Sequence, residues 1–175
     1  MGTPYTQQVR IERFVALGRA LLAACALLAV WLDPTEPSNH TWAIYYLLSG
    51  YLCYSILIVL AVWRLSVVWT YLPVASHAID LVLFALLMFF TRGPGSPFFV
   101  LFVFAVVCAT LRWQLRGAVY TAAISLSIVI VTAVYPKYLL SNPTFEMNRF
   151  IIRISYLSVV AALLGYLGAH EQRLR

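Results

Sequence analysis

Six apolar stretches, each about 15 to 24 residues long, dictate what this chain of 175 residues can fold into. They cover residues 14–32, 42–63, 67–90, 97–111, 117–135 and 150–168. A helix needs about 20 apolar residues to cross the hydrocarbon of a bilayer, and only a helix or a closed barrel satisfies its own backbone there. The breaks between stretches carry helix-stopping chemistry. Asp33-Pro34-Thr35-Glu36-Pro37 follows the first, Arg92-Gly93-Pro94-Gly95-Ser96-Pro97 follows the third, and Pro136-Lys137 opens the last long connection.

Hydrophobic residues fill 63% of the positions and charged residues 10%. A water-soluble domain carries about a quarter of its residues charged, so lipid is the solvent for most of this surface. The expected fold is an all-α membrane protein, a six-transmembrane helix bundle in one domain. Residues 1–13 are read as a cytoplasmic N-terminal segment, 14–168 as the bundle, and 169–175 as the start of a cytoplasmic helix with no output domain behind it. The net charge of +6 would suggest nucleic acid for a soluble protein. Here the basic residues flank the spans, where they set orientation and meet lipid headgroups, and no nucleic-acid partner is expected.

Orientation follows from the placement of those charges. With the N-terminus inside, Arg10, Arg13, Arg19, Arg64, Arg112, Arg116, Arg173 and Arg175 lie on the inner side, and Arg92, Lys137, Arg149 and Arg153 on the outer. Eight against four satisfies the positive-inside rule, so both termini are expected in the cytoplasm. Trp63, Trp69 and Trp113 mark the inner headgroup layer.

Within the spans, His77 and Asp80 share one helix face three residues apart. A carboxylate near mid-membrane costs about 2.5–3.5 kcal/mol on insertion scales, so a partner is expected. Arg19, on the same inner half, is the candidate counter-ion. The three residues read either as a polar switch linked to protons or ligand, or as an ion pair locking the first span to the third. Arg153 either snorkels to the outer interface or turns into the bundle toward an anionic or carbonyl-bearing ligand. Ser125, Ser127, Thr132, Ser155 and Ser158 are expected to bond back to their own helices.

The outer turn is the most distinctive segment. Two glycines and two prolines fix its shape, and Phe98-Phe99 follow directly. The span behind it is short, so part of the turn can dip into the bilayer under protein cover. An apolar ring arriving from lipid would meet aromatic side chains and backbone N–H groups there; the plain alternative is a compact helical hairpin. Arg92, Gly93, Ser96, Pro97, Phe98 and Phe99, together with Arg153, are the candidate ligand residues.

In the last span, Val160, Leu164, Leu167, Glu171 and Leu174 repeat at four-three spacing, as in a two-stranded coil. Ala161, Gly165 and Ala169 add a small-residue row that permits close helix contact. No stop signal follows Gly168, so this helix is expected to leave the membrane and continue, and to pair with a second copy. The alternative is a polar tail that only solvates the span.

Cys25, Cys53 and Cys108 stand alone in apolar runs, without CxxC spacing or a neighbouring histidine, so no metal site is expected. The chain has no Gly-x-Ser-x-Gly elbow, no paired carboxylates, no phosphate loop and no His-Glu-x-x-His pair. It is read as no enzyme by itself.

These residues resemble the six-helix membrane input modules of bacterial sensor histidine kinases. The likeness rests on His77-Ala78-Ile79-Asp80 through Thr91, on Gly93 and Ser96-Pro97-Phe98-Phe99, and on Leu111-Arg112-Trp113 with Arg116-Gly117. The end, Tyr166 to Arg175, looks like the start of a signalling helix, which in such proteins leads into a GAF or dimerisation domain and a kinase core. The turn is also similar to the Gly-Gly-x-x-Asn-Pro-Phe element of redox-responsive kinases, which is tied there to ubiquinone sensing. Gly93, Pro97 and Phe98 match; Arg92 and Ser96 replace a glycine and the asparagine. The resemblance implies a dimeric sensory module of the bacterial inner membrane, with quinone or another lipid-soluble molecule as stimulus and no other cofactor. The competing readings are a small transporter or channel subunit using His77 and Asp80, and a scaffold that only assembles partners.

Overall fold

A computed structural model describes residues 4–32, 41–64, 71–91, 96–139 and 147–174. All of its regular elements are helical, and no strand occurs among the described residues. Helix α1 spans Pro4–Leu32, α2 Thr41–Arg64 and α3 Leu72–Phe90. A 3-10 turn, Pro97–Phe99, leads into α4 at Val100–Leu139, and α5 spans Met147–Leu174. Five of these helices are long and apolar enough to cross a membrane. Helix α1 begins ahead of the first apolar stretch, running through residues that the sequence reading set outside the bundle.

The 40 residues of α4 would make a rod of about 60 Å, twice the hydrocarbon thickness. The chain solves this by breaking at Gln114, whose φ of 57° and ψ of −139° are not helical. We call the two halves α4a (100–113) and α4b (115–139). Gly117 shows how sharply the chain turns back. A Cβ placed on it would sit 2.5 Å from the carbonyl oxygen of Ala109 and 2.8 Å from Trp113 Cβ. In an unbroken helix those eight residues would rise about 12 Å, so α4b must fold back onto the end of α4a. Six apolar helical segments result, as the hydrophobic pattern predicts.

The chain forms two compact units, Met1–Ile79 and Asp80–Arg175, with α3 running through the boundary. In the first, α1 and α2 pack on each other. Val15, Ala16, Ala23 and Val30 form the buried stripe of α1, and Ile44, Leu48, Tyr51 and Val62 that of α2. The Tyr45 hydroxyl donates to the Val30 carbonyl at 3.2 Å, supplying the phenol with a partner within an apolar helix pair.

In the second unit, α4 and α5 pack together and the C-terminal half of α3 joins them. The rings of Phe84 on α3 and Phe102 on α4a meet edge to face at 6.0 Å. The Thr132 hydroxyl of α4b lies 3.5 Å from the Met88 sulfur of α3. Leu101, Phe102, Ala105, Val106, Ala109, Ala118, Ala122, Val129 and Leu157 complete this core. Large apolar side chains such as Leu21, Trp42, Ile152 and Leu163 point outward, as in a protein whose solvent is hydrocarbon.

Candidate functional site

The second unit assembles its polar site where α3 gives way to α4. Ser96 is extended, with φ −63° and ψ 139°, and caps the 3-10 turn. Its Oγ accepts the Phe98 N–H at 3.2 Å, and Pro97 occupies the first position, where a missing N–H costs nothing. Ser96, Phe98 and Phe99 are all buried.

Arg153, in the second turn of α5, reaches this turn. Its guanidinium donates from Nη1 to the Ser96 carbonyl at 2.6 Å, short as charge-assisted bonds are. Its Cζ also lies 5.4 Å from the centre of the Phe99 ring. The arginine is half-buried and turned toward the Ser96 turn of its own unit. Ser96, Phe99 and Arg153 thus come together, with Pro97 and Phe98 beside them. Arg92 and Gly93 lie outside the described residues.

The other candidate residues belong to the helical interior. Arg19 is fully enclosed on α1, with its guanidinium 5.7 Å from the centre of the Tyr54 ring. Tyr54 in turn stacks near Tyr51, at 6.3 Å between centroids. His77 and Asp80 are buried on α3, with the boundary between the two units falling between them. Arg19 and His77 therefore belong to the first unit and Asp80 to the second.

Sequence reasoning missed Glu12, which is 3% exposed. It lies within residues 1–13, the segment expected to be cytoplasmic. The signal was nonetheless there: Glu12, Val15, Ala16, Arg19 and Ala23 recur at the spacing of one helix face, and all five are buried. Hydroxyl groups behave as expected at Ser127, Thr132 and Ser158, which donate to carbonyls four residues back at 2.8–2.9 Å. Ser125 departs from this. Its Oγ is enclosed without a hydrogen-bond partner among the described residues.

On α5, the proposed pairing seam is partly spent within the chain. Val160, Ala161 and Leu164 are half-buried, Gly165 is buried, and Leu167 is exposed. A Cβ on Gly165 would come within 2.7 Å of Leu115 Cδ1 and 3.9 Å of Ala118 Cβ. The glycine therefore lets α5 approach α4b closely. The side chains of Ala169, Glu171 and Leu174 lie outside the described residues.

The family model of the PilS-like transmembrane domain matches residues 2–173. The chain belongs to that family. PilS-like transmembrane domains are six-span sensor modules of histidine kinases, which agrees with the six apolar segments, the break at Gln114 included. The chain is thus a multi-pass membrane protein with a PilS-like sensor domain. No curated protein and no solved structure matches the chain.

Proposed function

We propose that this PilS-like module is the membrane input of a histidine kinase, taking a lipid-soluble stimulus at the Ser96–Phe99 turn and relaying it through α5. The observation that carries the reading is the 2.6 Å bond from Arg153 to the Ser96 carbonyl. It joins the Ser96–Phe99 turn to α5, the helix that we propose carries the signal. A quinone is the first candidate. Its carbonyl oxygen can take the Arg153 N–H in place of Ser96, and its ring can lie on Phe99 or Phe98. Arg92 and Gly93 belong to the same proposed site. In this reading the module lies in the bacterial inner membrane with both termini in the cytoplasm, an orientation that the basic residues counted above support.

The functional unit is proposed to be a homodimer through α5. Ile152, Tyr156, Val159, Leu163 and Tyr166 repeat at four-three spacing, and all five are exposed. They supply a coiled-coil seam on the face of α5 that its own bundle leaves uncovered. A second copy would also shelter the Tyr156 phenol from hydrocarbon. GAF or kinase output domains would follow this helix.

The test is a fusion of the chain to a kinase core in membranes of controlled quinone redox state. Phosphorylation should follow that state in the native sequence and lose the response in Arg153→Ala and Phe98→Ala. Equal kinase output in every quinone state would eliminate this ligand. Burial of Arg19, His77 and Asp80 favours a second reading, a small transporter or channel subunit. Proteoliposome flux abolished by Asp80→Asn would establish it over ours.

A further inference from the structure

Helix α5 is tied to its unit at two heights, by two different kinds of contact. Toward its start, Arg153 is bound to the Ser96 carbonyl and lies over Phe99. Twelve residues later, Gly165 lies against Leu115 and Ala118 of α4b. The first tie is polar, made by a long side chain with several rotatable bonds, and can be exchanged for a ligand. The second is helix backbone against the end of the Leu115 side chain, an approach that the absence of a side chain on Gly165 permits.

The backbone that carries Leu115 is held close to α4a. Leu115 directly follows Gln114, and Gly117 abuts the Ala109 carbonyl, so the first turn of α4b is clamped onto the end of α4a. Between the two ties, Leu157 is the fully buried residue of α5, while most of the helix surface is exposed. Around it Ile154, Val160, Ala161 and Leu164 are half-buried where α5 packs on α4.

We propose that Gly165 is the fulcrum of α5, so that loosening the Arg153 tie tilts the helix about the Gly165–Leu115 contact instead of sliding it along its axis. This rests on the reading that α5 carries the signal, and adds the form of the motion. Arg153 stands about 18 Å from the fulcrum and Leu174 about 14 Å beyond it. A displacement of about 2 Å at Arg153, the scale of helix shifts in switching proteins, returns about 1.5 Å at Leu174 in the opposite direction.

The experiment uses the whole chain in lipid nanodiscs, with Cys25, Cys53 and Cys108 replaced by alanine and spin labels attached in pairs. One pair, at Val100→Cys and Ile152→Cys, reads the Arg153 end; the other, at Leu111→Cys and Gln172→Cys, reads the far end. Adding Arg153→Ala should lengthen the first distance and shorten the second by about half as much, by the residue counts on either side of the fulcrum. Phe99→Leu, which removes the ring under the guanidinium but keeps the bulk, should give the same signs at smaller size. Leu115→Ala, which takes away the seat, should abolish the opposed response. Shifts of the same sign at both ends, or none, overturn the fulcrum even where the fused kinase responds to quinone. Opposed shifts uphold it even where the kinase ignores quinone, since no ligand enters the measurement.

Discussion

Arg153 binds the backbone carbonyl of Ser96 across 57 residues of sequence, at 2.6 Å. The acceptor is main chain, so no substitution at Ser96 removes it, and the arginine is the only side of the bond open to mutation. Arg153→Ala should lower the stability of the module by about 1.5–3 kcal/mol, the range for a hydrogen bond to a charged group. Arg153→Lys keeps the charge but not the planar fork, and should recover part of that loss. Unfolding by denaturant in mild detergent measures both.

Gln114 holds a backbone conformation that favours glycine, and a non-glycine residue there stores strain of about 1–3 kcal/mol. Gln114→Gly should therefore raise the thermal midpoint, with the gain reduced by glycine's freedom in the unfolded chain. A fall in the midpoint would mean that the side chain supplies more than the strain costs.

Gly117 calls for the opposite outcome. Even the methyl of Gly117→Ala meets the Ala109 carbonyl, which is backbone and cannot swing aside. The turn must open, at a cost of about 1–3 kcal/mol, and fluorescence of the neighbouring Trp113 should report the change.

Ser125→Ala tests the enclosed hydroxyl on α4b. With no hydrogen-bond partner to lose, removing the oxygen should be neutral or stabilising by about 1 kcal/mol. Marked destabilisation would show that the hydroxyl is bonded in the membrane.

Cross-linking separates the two faces of α5. Single cysteines at Val159 or Leu163, in a chain otherwise free of cysteine, should form disulfide-linked dimers on mild oxidation. Cysteine at Leu157, which is fully buried within its own chain, should not.

The number and approximate limits of the helical segments were legible because hydrocarbon enforces them: an apolar run has to be a helix, and its length is set by bilayer thickness. The break at Gln114 was legible as a gap between spans, but its form was not, since neither glycine nor proline occupies the residue that turns. At the site, Phe98, Phe99 and Arg153 were named from residue type. That Arg153 lies over Phe99 depends on which way α5 faces, which a helix apolar nearly all round does not reveal. Glu12 was overlooked for a related reason. Charge alone suggested an aqueous segment, whereas its spacing from Val15 and Arg19 put it on the enclosed side of α1.

The reversal at Gln114 also bears on how the protein is made. Alone, α4a is about 21 Å long, short of the roughly 30 Å needed to cross. Its end is covered only once the first turn of α4b has arrived, with Gly117 against Ala109. The two segments therefore form one membrane hairpin, and a deletion that removes α4b should leave α4a poorly inserted.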